Sequence, residues 1–287
     1  GEAELVVAGG VESMANVHYY WPQARTGLRM GHGKVIDGMI HDGLWDPYGD
    51  FHMGNAGDKC AREHQFSRED QDAFAKESFR RALAAQKEGL FKSEIVSVSV
   101  PQRRGDDVVV DTDEGPPSGK PEKFASLKPA FAKDGTITAA NASSINDGAS
   151  ALVLASEEAV KAHGLEPLAR IVGYGCVAQA PEWFTTAPAK AIEATTKKLG
   201  LTTKEIDLYE INEAFAVVTM ACSKLAGLDP QTVNVRGGAV ALGHPIGASG
   251  ARIVTTMLFA LRDMNKKRGL ATICIGGGEA LALVVER

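Results

Sequence analysis

The sequence predicts an α/β fold, and three observations carry that expectation. After Ser150, short apolar strand candidates alternate with helical stretches of roughly 10 to 15 residues, the pattern of βαβ units and a mostly parallel sheet. The 287 residues are 44% apolar and 23% charged, which suits a globular chain of one or two domains. A weak internal repeat lays Gly1–Gly10 over Gly269–Gly278, with Gly1, Ala3, Gly9 and Gly10 matching Gly269, Ala271, Gly277 and Gly278.

Taken in order, Glu4–Ala8 reads as a short buried strand that stops at Gly9-Gly10. From about Val17 to Ala139 the pattern is irregular, with Pro22, Pro47, Pro101 and the run Glu114-Gly-Pro-Pro-Ser-Gly-Lys-Pro121. Loops this long are expected to act as functional covers or binding arms. Two helices interrupt them: an amphipathic stretch around Ala56–His64, and a helix capped by Ser67 with Asp70 three positions on, running from Gln71 to Lys87. Beyond Ser150 the expected order is strand Ala151–Ala155, helix Glu157–His163, strand Arg170–Gly173, helix Ala187–Leu199 and strand Ile206–Ile211. Helix Glu213–Leu225, strand Val233–Val235, helix Gly250–Met264 and strands Ala271–Ile275 and Leu281–Val285 complete it. The chain opens on Gly and is already strand-like by Glu4, so it is expected to be a piece of a longer polypeptide. In the second copy of the repeat, the strand follows a helix, and that helix follows the turn Gly243-His-Pro-Ile-Gly247. A true duplication would place a matching turn and helix upstream of Gly1.

Composition excludes several function classes. Lys+Arg 31 against Asp+Glu 36 gives a net charge of −5, which argues against a nucleic-acid or anionic-membrane partner. No apolar run approaches the roughly 18 residues a membrane span needs, and no basic-plus-apolar signal opens the chain. Cys60, Cys176, Cys222 and Cys274 are far apart, which suits a reducing, cytoplasmic setting and excludes a disulfide scaffold or zinc ribbon. No HxxH or HExxH cluster argues for a metal.

The chemistry concentrates in a few segments. Gly237-Gly-Ala-Val-Ala-Leu-Gly-His-Pro-Ile-Gly-Ala-Ser-Gly250 sets a lone His among glycines, just before a helix N-terminus. Free N–H groups and the helix dipole there disfavour imidazolium and favour oxyanions, so a neutral His244 can activate a thiol or bond a carbonyl oxygen. The bland reading is a glycine-rich connector with an incidental His. Cys274 ends a strand before Gly276-Gly-Gly278, where an exposed thiol beside free N–H groups competes with an ordinary core Cys. Asn212, in Asn212-Glu-Ala-Phe-Ala216, follows a strand and opens a helix; composition alone favours an N-cap over an amide aimed into a cleft. Asn141-Ala-Ser-Ser-Ile-Asn-Asp-Gly148 is either ordinary capping or a substrate-lining turn, and His52-Met53-Gly54 is surface or pocket. The remaining Cys and His residues are assigned to structure or surface.

Together these segments resemble the thiolase family over essentially the whole chain, closest to its biosynthetic branch. The resemblance rests on Val7-Ala-Gly-Gly-Val-Glu-Ser-Met14, Asp42-Gly-Leu-Trp-Asp-Pro47 with His52-Met-Gly54, Asn141-Ala-Ser143 with Asn146-Asp-Gly148, Asn212-Glu-Ala-Phe215, Gly237-Gly-Ala with Gly243-His-Pro-Ile-Gly247, and Cys274-Ile-Gly-Gly-Gly278. It implies a layered αβαβα fold of two similar halves with an inserted loop domain, N-terminally incomplete here. The expected division is 1-16 as the remnant of the N-terminal half, 17-140 as the loop domain, 141-166 as the end of the N-terminal half, and 167-287 as the C-terminal half.

The implied activity is acetyl-CoA C-acetyl transfer, the reversible Claisen condensation of two acetyl-CoA to acetoacetyl-CoA and CoA. One Cys carries the acyl group, and a second moves the α-proton of the other substrate. By resemblance Cys274 is that acid/base, His244 activates the nucleophile and donates to a thioester oxygen, Asn212 holds a water in the same oxyanion hole, and the Gly276 N–H serves the other hole. His52, Met53, Ser143, Phe184 and Phe215 are expected to line the pantetheine and acyl pocket, with Leu127, Phe131 and Ala139 at the adenine-side loop contacts. The acyl-carrying Cys is absent; the family places it at a helix start roughly 15 residues before Gly1, where the repeat also predicts a turn and helix. This chain alone is therefore expected to be inactive.

Arg236 stands where many members carry Asn, and Glu279-Ala280 replace commoner small or Met residues. Phe79 stands where mitochondrial relatives use a Tyr to help hold potassium, and no metal or cofactor is expected beyond the CoA thioesters. A homotetramer is expected, with the arm Asn16–Asp50 at the contact. Two alternatives stay open: a longer-chain 3-ketoacyl-CoA thiolase, and a non-catalytic thiolase-fold binder of acyl-CoA or lipid. Intact His244, Asn212 and Cys274 argue against the binder, and Phe184 with the Trp45–His52 segment favours a small acyl group.

Overall fold

In chain order the computed structural model, which describes residues 2–287, begins with strand β1 (Leu5–Ser13) and the short strands β2 (Tyr19–Tyr20), β3 (Ile36–Asp37), β4 (Trp45–Asp46) and β5 (Phe51–His52). Helices α1 (Met53–His64) and α2 (Arg68–Lys87) follow, then β6 (Val98–Val100), β7 (Val108–Val110) and the single turn α3 (Gly115–Ser118). Next come β8 (Asp147–Ala155), α4 (Glu157–His163), β9 (Arg170–Ala178), α5 (Ala187–Lys198) and β10 (Leu208–Ile211). The chain ends with α6 (Ala216–Ala226), the single turn α7 (Ala239–Leu242), α8 (Ile246–Asp263), β11 (Arg268–Ile275) and β12 (Glu279–Glu286).

These elements stack in layers. Strands β10, β11, β12 and β9 form one sheet in that order. Helix α5, with α6 beside it, covers one face, and α8 covers the other. The far side of α8 packs on a second sheet, the antiparallel pair β1 and β8. A helix between two sheets has no polar face to spare, and α8 accordingly buries Ile253, Met257, Leu258 and Leu261. Its contacts with Leu208, Ala271 and Val285 make a core of their own. The other face of the β1–β8 pair stays uncovered among the described residues, leaving Val7 74%, Val11 73% and Val153 67% exposed.

Local signals account for the helices. At the start of α2 the Ser67 Oγ accepts from the Asp70 N–H at 3.0 Å, and the Asp70 carboxylate accepts from the Ser67 N–H at 2.9 Å. This reciprocal cap satisfies two otherwise free donors. Gln71, Ala75, Ser78, Phe79, Ala82 and Ala85 then recur at helical spacing as its buried stripe. Ser156 caps α4, and Gly164 ends it in the left-handed region at φ 60.

Pairing corrects three expectations. The sheet is mixed rather than mostly parallel: β10 and β11 run parallel, whereas β11–β12, β12–β9 and β1–β8 are antiparallel. The link Gly276–Gly278 is too short for a crossover, so β12 can only return alongside β11. Strand β1 does not stop at Gly9-Gly10 but runs to Ser13. A Cβ on Gly9 would lie 2.3 Å from the Ser150 carbonyl oxygen, and one on Gly10 1.8 Å from that of Gly247. These glycines permit close approach to β8 and α8 instead of making a turn. Val233–Val235 is no strand: Val233 makes a single bridge to Tyr209, and Asn234 then turns left-handed at φ 47. The Asn234 amide clasps the edge of β10 instead, accepting from the Ile211 N–H and donating to the Ile211 carbonyl, both at 2.8 Å.

Smaller shifts follow from packing. Strand β9 continues to Ala178 because it pairs with β12 along its whole length, and α8 begins at Ile246 rather than Gly250. Arg236 is buried, donating to the Leu90 carbonyl at 3.1 Å and pairing with Asp263 at 2.5 Å.

Two acids, one buried and one half-buried, set an expected pH response. Glu210 on β10 lies 3.7 Å from the Arg252 guanidinium, and Glu94 accepts from the Thr256 hydroxyl at 3.2 Å. Burial pushes Glu210 up to about 8 and Glu94 up to about 7, against the pull of Arg252 and Arg236. Both keep a proton in the fold that the unfolded chain gives up near 4.5, so their contribution is complete below that value and is lost as pH rises through about 7 to 8. Denaturant unfolding from about pH 6 to pH 8.5 should show falling stability, with a shallower fall in Glu210→Gln. An equal slope in that variant would overturn the assignment.

Candidate active site

The His244 ring lies between two partners that fix its proton. Ser249 Oγ donates to the Pro245 carbonyl at 2.9 Å, so its 2.6 Å contact with His244 Nδ1 has the imidazole N–H donating to it. The other ring nitrogen, Nε2, then carries the lone pair and accepts from the Asn212 amide at 3.2 Å. Burial holds the imidazole down at about 4, with Arg252 pushing the same way. His244 is thus a neutral base across the physiological range. Its contribution to stability is complete above about 6.5 and is lost as pH falls through about 4.

Asn212 overturns the N-cap reading. Helix α6 starts at Ala216 with Phe215 as its cap residue, so Asn212 lies before the helix with its amide turned to His244. Its Oδ1 is buried without a partner among the described residues.

Cys274 sits at the end of β11, one residue before the tight turn into β12. Gly277 and Gly278 adopt φ +83 and +89, a left-handed path that costs glycine little. The Gly276 N–H finds no partner among the described residues, which leaves a free donor two positions from the thiol. Burial pushes the Cys274 thiol up to about 12, opposed only by a backbone hydrogen bond. As it stands the group carries its proton and is an acid.

A cavity of about 440 Å³ gathers these groups except Asn212, which bonds to His244 without lining it. His244, Cys274 and Gly276 line it, and so do His52, Met53, Phe131, Ser143, Phe184 and Phe215. His52 stacks on Phe131 at 4.6 Å between ring centroids, and Phe131 meets Phe215 edge-on at 6.1 Å. Ser143 is held by its hydroxyl and N–H, both donating to the Ala214 carbonyl. Leu127 and Ala139 lie outside the cavity, both exposed; the Leu127 carbonyl accepts from Arg68 at 3.0 Å. Cys60 and Cys222 are buried in the core away from the cavity lining, and Cys176 is exposed on β9. Cys274 is therefore the one thiol lining this cavity among the described residues. No group of three or more His, Cys, Asp or Glu side chains there could hold a metal ion.

Sequence reasoning missed several contributors. Ser249 resembles any polar helix position, and nothing local marks it as the Nδ1 partner of His244. Met14, Met39, Ile40 and Ile246 complete the apolar wall, brought from the irregular arm and the start of α8. Glu12 accepts from the Gly247 N–H at 3.1 Å, a carboxylate on the first turn of α8. A larger cavity of about 550 Å³ between α2 and α6 touches none of the groups above.

Comparison with known proteins spans the whole chain. The thiolase N-terminal domain family matches residues 1–158, and the thiolase C-terminal domain family matches 165–287. The chain is 54% identical to "Acetyl-CoA acetyltransferase 1" of Arabidopsis thaliana, covering all of this chain and 69% of that protein. It is 50% identical to "Acetyl-CoA acetyltransferase" of Schizosaccharomyces pombe, covering all of this chain and 73% of that protein. The crystal structure of the Bacillus anthracis acetyl-CoA acetyltransferase superimposes with a TM-score of 0.96 at 43% identity, covering 100% of this chain and 72% of that one.

Proposed function

The chain belongs to the thiolase family, and on that premise we propose that it serves acetyl-CoA C-acetyl transfer, the reversible condensation of two acetyl-CoA molecules to acetoacetyl-CoA and CoA. The observation that carries this reading is the single cavity holding a neutral His244 bonded to Asn212 together with the Cys274 thiol. In the first step an acyl-carrying thiol gives its proton to His244 Nε2 and takes the acetyl group. The same nitrogen, now an N–H, donates to the thioester oxygen beside Asn212. The departing CoA sulfur takes the proton of Cys274. The resulting thiolate removes an α-proton from the second acetyl-CoA, whose carbanion attacks the acetyl-enzyme and frees the first thiol. The Gly276 N–H serves the other oxyanion hole, beside the acyl-carrying thiol.

The acyl-carrying thiol is proposed to come from outside residues 2–287, which is supported by Cys60, Cys176 and Cys222 all lying off the cavity. Since both substrates are activated thioesters, the reaction needs no resident cofactor. Phe131, Phe184 and Phe215 crowd the cavity and support a small acyl group over a longer-chain one. The homotetramer and the contact role of the arm Asn16–Asp50 belong to the same proposal, supported by the exposure of Met30 (99%) and Tyr48 (79%) on that arm. Four free cysteines support the cytoplasm, and acetyl-CoA chemistry supports a place in fatty-acid metabolism.

The test is thiolysis of acetoacetyl-CoA. The 287-residue chain alone should show none, and should gain it when joined to a segment supplying a cysteine at a helix start. Full turnover by the chain alone would overturn the external thiol, and silence of the completed polypeptide would overturn acetyl transfer.

A further inference from the structure

Glu213, next to Asn212, is buried, and no cation touches its carboxylate. It is instead saturated by hydrogen bonds from three segments. Oε2 accepts from the Ser78 hydroxyl of α2 at 2.7 Å and from the Val240 N–H of α7 at 3.1 Å. Oε1 accepts from the Asn234 amide at 2.9 Å. Ser78 Oγ in turn accepts from the Gly238 N–H at 3.1 Å, so its own proton is free for Glu213. Three donors converging on two oxygens suit the ionised form and offset part of its desolvation.

The three segments matter because of what they carry. Asn212 and His244 are 32 positions apart, and their 3.2 Å hydrogen bond spans two separate stretches of backbone. Asn212 directly follows β10, which Asn234 clasps. His244 follows α7 by two residues, and α7 is a single turn too short to hold its own orientation. Glu213 bonds to both sides of that gap and anchors it to α2, a helix of the loop region.

We propose that Glu213 is a positioning residue of the thiolase reaction: its carboxylate sets the separation and angle between Asn212 and His244 by joining β10, α7 and α2. The proposal rests on the acetyl-transfer reading of this site. It differs from simple fold maintenance, because the loss should follow the Asn212–His244 geometry and not the amount of folded protein. Displacements of about 1 Å at a reacting group cost up to about 100-fold in rate.

The experiment uses the catalytically complete polypeptide. Glu213→Gln keeps the shape but turns an amide toward groups that are all donors. Acetoacetyl-CoA thiolysis, counted per site able to trap labelled acetyl, should lose roughly 10- to 100-fold in kcat, with KM held within about twofold. In an Asn212→Ala background the same change should cost less than about twofold, because the geometry it protects is already gone. Should Glu213→Gln fail to fold, Ser78→Ala removes one donor from the α2 side. It should lower kcat about threefold or more, with the same non-additivity. An unchanged kcat per competent site, or full additivity with Asn212→Ala, overturns the proposal. Independently of turnover, the ¹⁵N signals of His244 should report a weakened bond at Nε2 in the variant, and an unaltered spectrum also overturns it. An inactive parent polypeptide whose His244 signals still respond would sink the acetyl-transfer reading and leave the geometric link standing.

Discussion

Replacing Cys274 with Ser should cut condensation of two acetyl-CoA molecules by about 10²–10⁴-fold while leaving acetylation of the enzyme largely intact. Burial pushes the Cys274 thiol up to about 12, and in the proposed reaction the departing CoA sulfur takes that proton before the α-carbon gives one up. A hydroxyl has a far higher pKa in the same dry pocket and makes a poor base for an α-proton. The variant should therefore trap labelled acetyl from acetyl-CoA and then stall. Its size is nearly unchanged, so folding should not confuse the result.

A broader loss is expected for His244→Ala. In the proposed reaction one imidazole serves as base for the acyl-carrying thiol and, once protonated at Nε2, as donor to the thioester oxygen. Removing it should depress both acetylation and condensation, on the order of 10²–10³-fold for the oxyanion donor alone. The wild-type acetylation rate should also show no inflection from His244 near 6.5, because burial holds the ring down at about 4. The trapping assay separates the two residues. A Cys274 variant that traps no acetyl beside a His244 variant that traps it normally would reverse the two roles.

The helices were legible because their signals are local. The Ser67/Asp70 pair acts within one turn of the residues it caps, and the structure keeps it where the sequence puts it. The site was legible in part for a different reason. His244, Cys274, Gly276, Ser143 and Phe215 lie in short motifs rich in glycine or small residues, and such motifs mark places where backbone must bend or a ligand must approach. Ser249 and Glu213 carry no comparable mark, since a polar helix residue and an acid beside an Asn look ordinary until their partners arrive from elsewhere.

By itself the sequence determined the α/β class, the thiolase resemblance, the Ser67 helix cap and several of the residues around one cavity. Each of these follows from periodicity, capping or motif, which depend on neighbours a few positions away. Only the tertiary structure decided the mixed strand directions, the passage of β1 through Gly9-Gly10, and the turning of Asn212 from helix cap to partner of His244. It also decided the protonation of Cys274, and it supplied burial as the main cause of the neutral His244 that the sequence predicts from the helix N-terminus. Desolvation and strand pairing are set by what packs across a gap, and a single stretch of sequence carries no record of what lies on the other side.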